Sequence, residues 1–188
     1  MSNKIISGKK LRKSIGKTTK TLVKGVKSTL GPSGTNVGVL SELNLPIIVN
    51  DGVTVAKKTN FEDPFQNYIS KVLKTVSQNT DNIAKDGTST SLTLAESLIL
   101  EGIKHIELGF SQIDITKGIR QATLDVIAEL EKRKISLKDN EDILKQVASI
   151  SANNDSFLGG IIAEAFIKVG VDGQIEVKDS VSGTTYVD

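Results

Sequence analysis

Cysteine is absent from this 188-residue, 20.1 kDa chain, which excludes disulfides, thiol catalysis and thiolate metal sites together. A single histidine, His105, leaves no set of imidazoles for a zinc or iron centre. Tryptophan is missing, and five Phe and two Tyr offer little for base stacking. No apolar run approaches the ~20 residues of a membrane span. With Lys+Arg at 24 against Asp+Glu at 22, the net charge of +2 lacks the basic excess of a dedicated nucleic-acid binder. What is present is 38% hydrophobic and 24% charged residues with a mean hydropathy of -0.09. That composition can bury a core and is too apolar for general disorder. It describes a soluble intracellular domain of α/β type, with neither nucleic acid nor membrane as partner and the cytoplasm as the expected compartment.

Charge is unevenly distributed. Nine basic residues lie between Lys4 and Lys27, and the first acidic residue is Glu42. Such a start suits a transit peptide, a nucleic-acid arm or the solvated face of a helix. Leu11, Ile15, Thr18, Leu22, Val26 and Leu30 fall at helical spacing, with Lys13, Lys17, Lys20, Lys24 and Lys27 opposite. The pattern favours an amphipathic helix with a lysine face. A secretory signal is excluded, because no uninterrupted apolar segment follows the first lysines.

The helix should break at Leu30-Gly31-Pro32-Ser33-Gly34. Short strands are expected at Asn36 to Leu40 and at Pro46 to Val49. Asn50-Asp51-Gly52 then reads as a hairpin turn into Val53-Thr54-Val55. Asp63-Pro64 has the form of an N-cap followed by proline in the first turn, opening a helix with Phe65, Ile69, Val72 and Val76. Polar Gln78 to Asn82 is either an interruption of that helix or its exposed end. Leu92 to Ile106 and a segment from about Asp114 to Leu130 are further helices, the second with Ile115, Ile119, Ala122, Val126, Ile127 and Leu130 as its buried face. Two shorter helices follow, marked by Ile143, Val147 and Ile150 and by Leu158 to Val169. After a turn at Val171-Asp172-Gly173, strands are expected at Gln174 to Lys178 and Thr184 to Val187. A chain that stops inside such a ribbon reads as truncated.

Gly16-Lys17-Thr18 imitates the end of a Walker A loop, but Leu11 stands where its first glycine belongs and the segment is mid-helix. A distributed site is the better candidate. Asp86-Gly87-Thr88-Ser89-Thr90 opens a long helix, whose free N–H groups and positive dipole end suit phosphate. The hydroxyls of Thr88, Ser89 and Thr90 add donors, and the Asp86 carboxylate is a hard ligand for Mg²⁺. Taken alone, Asp-Gly-Thr is more often a plain cap and turn.

Together with Thr29-Leu30-Gly31-Pro32 and Asn50-Asp51-Gly52-Val53-Thr54-Val55-Ala56, this segment resembles the ATP-site motifs of group I chaperonins (the 60 kDa chaperonin family). Ile150-Ser151-Ala152-Asn153-Asn154-Asp155, Ile162-Ala163-Glu164-Ala165 and Lys168 to Gly173 extend the resemblance in order along the chain. It implies a mainly α fold with short β-hairpins. Residues 1–133 would be the N-terminal part of the equatorial, ring-forming ATPase domain, and 134–188 the first segment of the intermediate hinge domain. The apical domain and the C-terminal half would be absent.

The resemblance also implies roles. Thr29, Leu30, Gly31 and Pro32 would wrap the phosphates of ATP, with Asn50 and Gly52 beside them. Asp51 would orient the attacking water, Asp86 would ligate Mg²⁺, and Gly87, Thr88, Ser89 and Thr90 would cradle phosphate. K⁺ is a further expected cation. The implied parent is an ATP-dependent folding cage of stacked seven-subunit homo-oligomeric rings, working with a co-chaperonin on unfolded protein clients. Asn50 stands where bacterial members carry lysine, Lys85 where they carry glycine, and Ser89 where they carry threonine. Without its second half, the fragment is expected to be inactive as an enzyme. The rival readings are a self-contained module that docks on a chaperonin-like partner, and an unrelated basic domain binding an anionic polymer.

Overall fold

The computed structural model describes residues 5–31, 33–40, 45–137, 140–170, 173–180 and 183–187. The chain divides into two compact units, Met1–Gln121 and Ala122–Asp188.

The first unit is built on three long helices, α1 (Gly8–Lys27), α3 (Pro64–Ala84) and α4 (Thr88–Glu107), with the short α2 (Gly52–Lys58) packed against them. The lysine stripe of α1 faces solvent as its periodicity requires, while Thr18, Thr19, Leu22, Val23 and Val26 are buried. Gly16 packs on Leu100 and Ile103, at 3.6 and 3.7 Å from its β-position, so the N-terminal half of α1 lies on the C-terminal half of α4. The two helices therefore run antiparallel, and the end of α1 meets the start of α4. Leu22, Val23, Val26, Val55, Ala56, Leu73 and Leu92 form the core. Each buried leucine or valine among them contributes about 1.5–3 kcal/mol by leaving water.

Strands β1 (Val37–Leu40) and β2 (Pro46–Val49) pair antiparallel, Val37 opposite Val49 and Leu40 opposite Pro46. Val37 and Val49 on the inner face pack against the core, and Pro46 sits at the strand start, where its missing N–H is tolerated. The expected hairpin between Pro46–Val49 and Val53–Val55 does not form. Asp51 instead caps a helix: its carboxylate accepts the Val53 and Thr54 N–H groups at 3.1 and 3.0 Å, and β2 turns to β1 for its partner. Asp63 accepts from Gln66 N at 2.9 Å ahead of Pro64, as the sequence indicates. Gln78 to Asn82 is the end of α3, not a break in it.

Helix α5 (Gln112–Arg133) spans the division between the units. Its expected buried face is not buried: Val126, Ile127 and Leu130 are 57%, 51% and 60% exposed. The apolar spacing is real, but none of the described segments covers it.

In the second unit α6 (Glu141–Ser151) and α7 (Ser156–Val169) pack on each other, burying Leu144, Ala148 and Ala163. A β-carbon on Gly159 would fall 2.2 Å from Ser149 Oγ, so glycine sets how closely these helices approach. Asn153 and Asn154 form the turn with φ of 63° and 65°, and Asp155 caps α7 through Phe157 N and Leu158 N. Asparagine tolerates that left-handed backbone better than most residues. Gln174 to Lys178 and Thr184 to Val187 are not strands, since no ladder partner pairs with them among the described residues. The Val171-Asp172 part of the expected turn lies outside the described residues.

Candidate phosphate site

Three stretches far apart in sequence meet at Gly52. A β-carbon there would stand 2.1 Å from Ser89 Oγ, 3.0 Å from Thr29 Oγ1 and 3.0 Å from Val26 Cγ1. The turn after α1, the start of α2 and the first turn of α4 are thus in contact around one buried glycine. The antiparallel packing of α1 on α4 is what brings Thr29 to Ser89.

Each stretch is shaped by its own backbone. Thr29 closes α1 by donating both its N–H and its hydroxyl to Val26 O, at 3.1 and 2.8 Å. Leu30 N–H donates to Lys27 O at 3.2 Å, and Gly31 turns the chain with φ 73°. Gly34 then folds back so tightly that a β-carbon would lie 2.5 Å from Thr29 O. Pro32 lies outside the described residues. Leu30, Gly31 and Asn50 are exposed.

Asp51 spends its carboxylate locally, accepting the Thr54 hydroxyl at 2.8 Å besides the two backbone bonds. Burial pushes its pKa up, but the Thr54 hydroxyl, the Thr54 and Val53 N–H groups and the Lys57 charge outweigh that and hold it below its ordinary 3.8. Asp51 is therefore ionised at neutral pH.

The entry to α4 differs from that to α2. Lys85 and Gly87 are both left-handed, with φ of 57° and 74°. Asp86 between them accepts Gly87 N–H at 2.6 Å. Gly87 provides no side-chain cap for α4, so the first-turn N–H groups are not met by a capping side chain. Thr88 and Ser89 are half-buried and Thr90 is exposed. This is a 20-residue helix whose positive end opens beside a solvent-exposed carboxylate. A phosphate fits the donors. A Mg²⁺ fits Asp86, because that ion is commonly held by one carboxylate with phosphate oxygens and water completing its shell. No cluster of three or more carboxylate or imidazole side chains forms a self-contained metal site among the described residues.

The arrangement brings together Thr29, Gly52 and Ser89 and carries Leu30, Gly31, Asn50, Asp51, Asp86, Gly87, Thr88 and Thr90 on the adjoining turns. Gly16-Lys17-Thr18 is interior to α1, away from any glycine loop. Two features beside these turns carry little sequence signal. Gly34 was visible only as a breaker, and Glu96, a buried acid on α4 paired with Lys27, gives no local signal at all.

The fold has known counterparts. The sequence matches the TCP-1/cpn60 chaperonin family over residues 22–185. The chain belongs to that family. Among solved structures, the chaperonin gp146 from bacteriophage EL 2 (Pseudomonas aeruginosa), in the presence of ATP-BeFx, is 26% identical with a TM-score of 0.77. The match covers 94% of this chain and 31% of that one. A group III chaperonin in the open state is 21% identical with a TM-score of 0.75, covering 86% of this chain and 32% of that one, and supports the fold alone. This chaperonin chain thus spans about a third of the length of those it matches. Among the described residues no helix is long and apolar enough to cross a membrane.

Proposed function

We infer that the chain is the N-terminal part of an ATP-driven protein-folding chaperonin of the group I type, and that it supplies the phosphate-binding half of the nucleotide site. The observation that carries this reading is the convergence of Thr29, Gly52 and Ser89 beside the uncapped start of α4. Thr29 to Pro32 form the turn that wraps the phosphates, joined by Asn50 and Gly52. Gly87 to Thr90 donate to phosphate oxygens from the helix end, and Asp86 ligates Mg²⁺. Bound there, Mg²⁺ would supply positive charge to offset that of the phosphates, with K⁺ a second candidate cation. Asp51, ionised and fixed by Thr54, accepts a hydrogen bond from the water aimed at the terminal phosphate.

Phosphoryl transfer needs water, metal and phosphate held together. This chain carries one wall of that arrangement, so the 188 residues alone turn over ATP poorly. Residues 1–133 are assigned to the equatorial domain and 134–188 to the outgoing segment of the hinge. The working protein is a cytoplasmic homo-oligomer of stacked seven-subunit rings that encloses unfolded clients with a co-chaperonin.

Intact mass of the protein isolated from its source cells under denaturing conditions tests the assignment. A mass well over twice 20.1 kDa supports a full chaperonin parent. A mass of 20.1 kDa overturns it in favour of a self-contained module docking on a chaperonin-like partner.

A further inference from the structure

We propose that the Lys27–Glu96 ion pair is a positioning device for the nucleotide site, fixing the spacing between the phosphate-wrapping turn after α1 and the phosphate-binding end of α4. The inference rests on the nucleotide reading above and adds two residues to it.

Lys27 is the last residue of α1 and Glu96 lies two turns into α4, 69 positions away in sequence. The ammonium Nζ donates to Glu96 Oε2. The Glu96 side chain is 11% exposed and that of Lys27 44%, so the contact is roofed by protein on the acid's side only. A buried carboxylate is costly unless paired, and removing its partner leaves an uncompensated charge. Glu96 is therefore committed to holding Lys27.

The consequence falls on the site. Lys27 O accepts the Leu30 N–H, and its neighbour Val26 O accepts both donors of Thr29, so the turn hangs directly from the residues that the pair and the core restrain. On α4, Ser89, Leu92 and Glu96 stand at i, i+3 and i+7, one face of the helix. Ser89 touches the site, Leu92 is fully buried in the core with Val26, and Glu96 takes the ion pair. Thr29 and Ser89 thus stand at the end of a seam between α1 and α4 that also holds Val26 and Leu92 of the core and the Lys27–Glu96 pair. The other salt bridges found among the described residues join neighbours no more than four positions apart. Those steady single segments. Lys27–Glu96 ties two helices at the site.

The test is Mg-ATP binding by calorimetry at 25 °C on the protein at its natural length, with folding checked by circular dichroism. Lys27→Met and Glu96→Gln should each weaken binding about tenfold, the size of one lost charge-assisted contact. Their combination should be no weaker than the poorer single variant, because both remove one interaction. Lys27→Arg should keep the affinity by keeping the pair. Asp86→Ala serves as the reference. If Asp86→Ala weakens binding while folded Lys27→Met and Glu96→Gln bind like the parent, the positioning role is overturned and the site stands. If Asp86→Ala is also without effect, or the parent does not bind, the nucleotide reading falls and this inference with it. A loss of thermal stability with unchanged affinity would mark the pair as merely structural and overturn the proposal.

Discussion

Gly52 and Ser89 are so close that a β-carbon on the glycine would sit 2.1 Å from the serine hydroxyl oxygen. Thr29 Oγ1 and Val26 Cγ1, both at 3.0 Å, close off the other escape routes. Gly52→Ala is therefore expected to destabilise the fold by about 1–3 kcal/mol, the usual cost of overpacking. It should also weaken Mg-ATP binding by displacing the α4 end. Adding Ser89→Ala to Gly52→Ala removes the nearest atom and should restore part of the stability in a urea titration. Equal stability of Gly52→Ala and the parent would contradict the packing described.

Asp51 caps α2 and is proposed to orient the attacking water, and substitution can separate the two roles. Asparagine caps helices about as well as aspartate, whereas alanine costs about 1 kcal/mol. In the full-length chaperonin, Asp51→Asn should slow ATP hydrolysis while sparing both stability and binding. Asp51→Ala should slow hydrolysis more than it weakens binding, and lower the melting temperature as well. Binding lost with hydrolysis spared would remove Asp51 from the catalytic role.

The same carboxyl gives a pH signature. Its folded pKa lies below the ordinary 3.8, so the folded state favours the ionised form. That stabilisation is complete above the unfolded value and disappears as pH falls through the folded one. The stability difference between the parent and Asp51→Ala should hold steady from neutral pH to about 5 and shrink below about 4. Melting temperatures recorded across that range decide it, and a difference that grows on acidification would contradict the hydrogen-bonded carboxylate.

Lys85 holds a left-handed backbone with φ 57° at the end of α3, a conformation that costs a residue with a β-carbon roughly 1–2 kcal/mol. Lys85→Gly should relieve that strain and raise the melting temperature by about 2–4 °C for each kcal/mol gained. A lower melting temperature would mean that the lysine side chain contributes more than its backbone costs.

The lysine face of α1, the Asp63-Pro64 start of α3 and the long helix after Asp86 were all legible because they depend on local spacing and capping. The misreading at Asn50-Asp51-Gly52 has a specific cause. Asp-Gly between apolar β-branched residues suits both a hairpin turn and a helix start, and the outcome depends on β1 being available to pair with β2. Periodicity on α5 showed an apolar face correctly, but burial needs a covering surface that spacing cannot supply. The candidate site residues stand out only through motif resemblance. Their convergence was not visible, since the Gly52–Ser89 and Gly52–Thr29 contacts arise from the antiparallel packing of α1 on α4. Glu96 shows the same limit: an acid in a helix is ordinary until its partner, 69 positions away, is known.

The central claim, that these turns form a metal-dependent phosphate site, is tested most directly by titrating the protein with ATP, with and without Mg²⁺, against AMP and the Asp86→Ala variant. The account predicts saturable binding that requires Mg²⁺, fails for AMP and is lost in Asp86→Ala. Binding indifferent to the metal, to the phosphate chain and to Asp86, or no saturable binding at all, would contradict it.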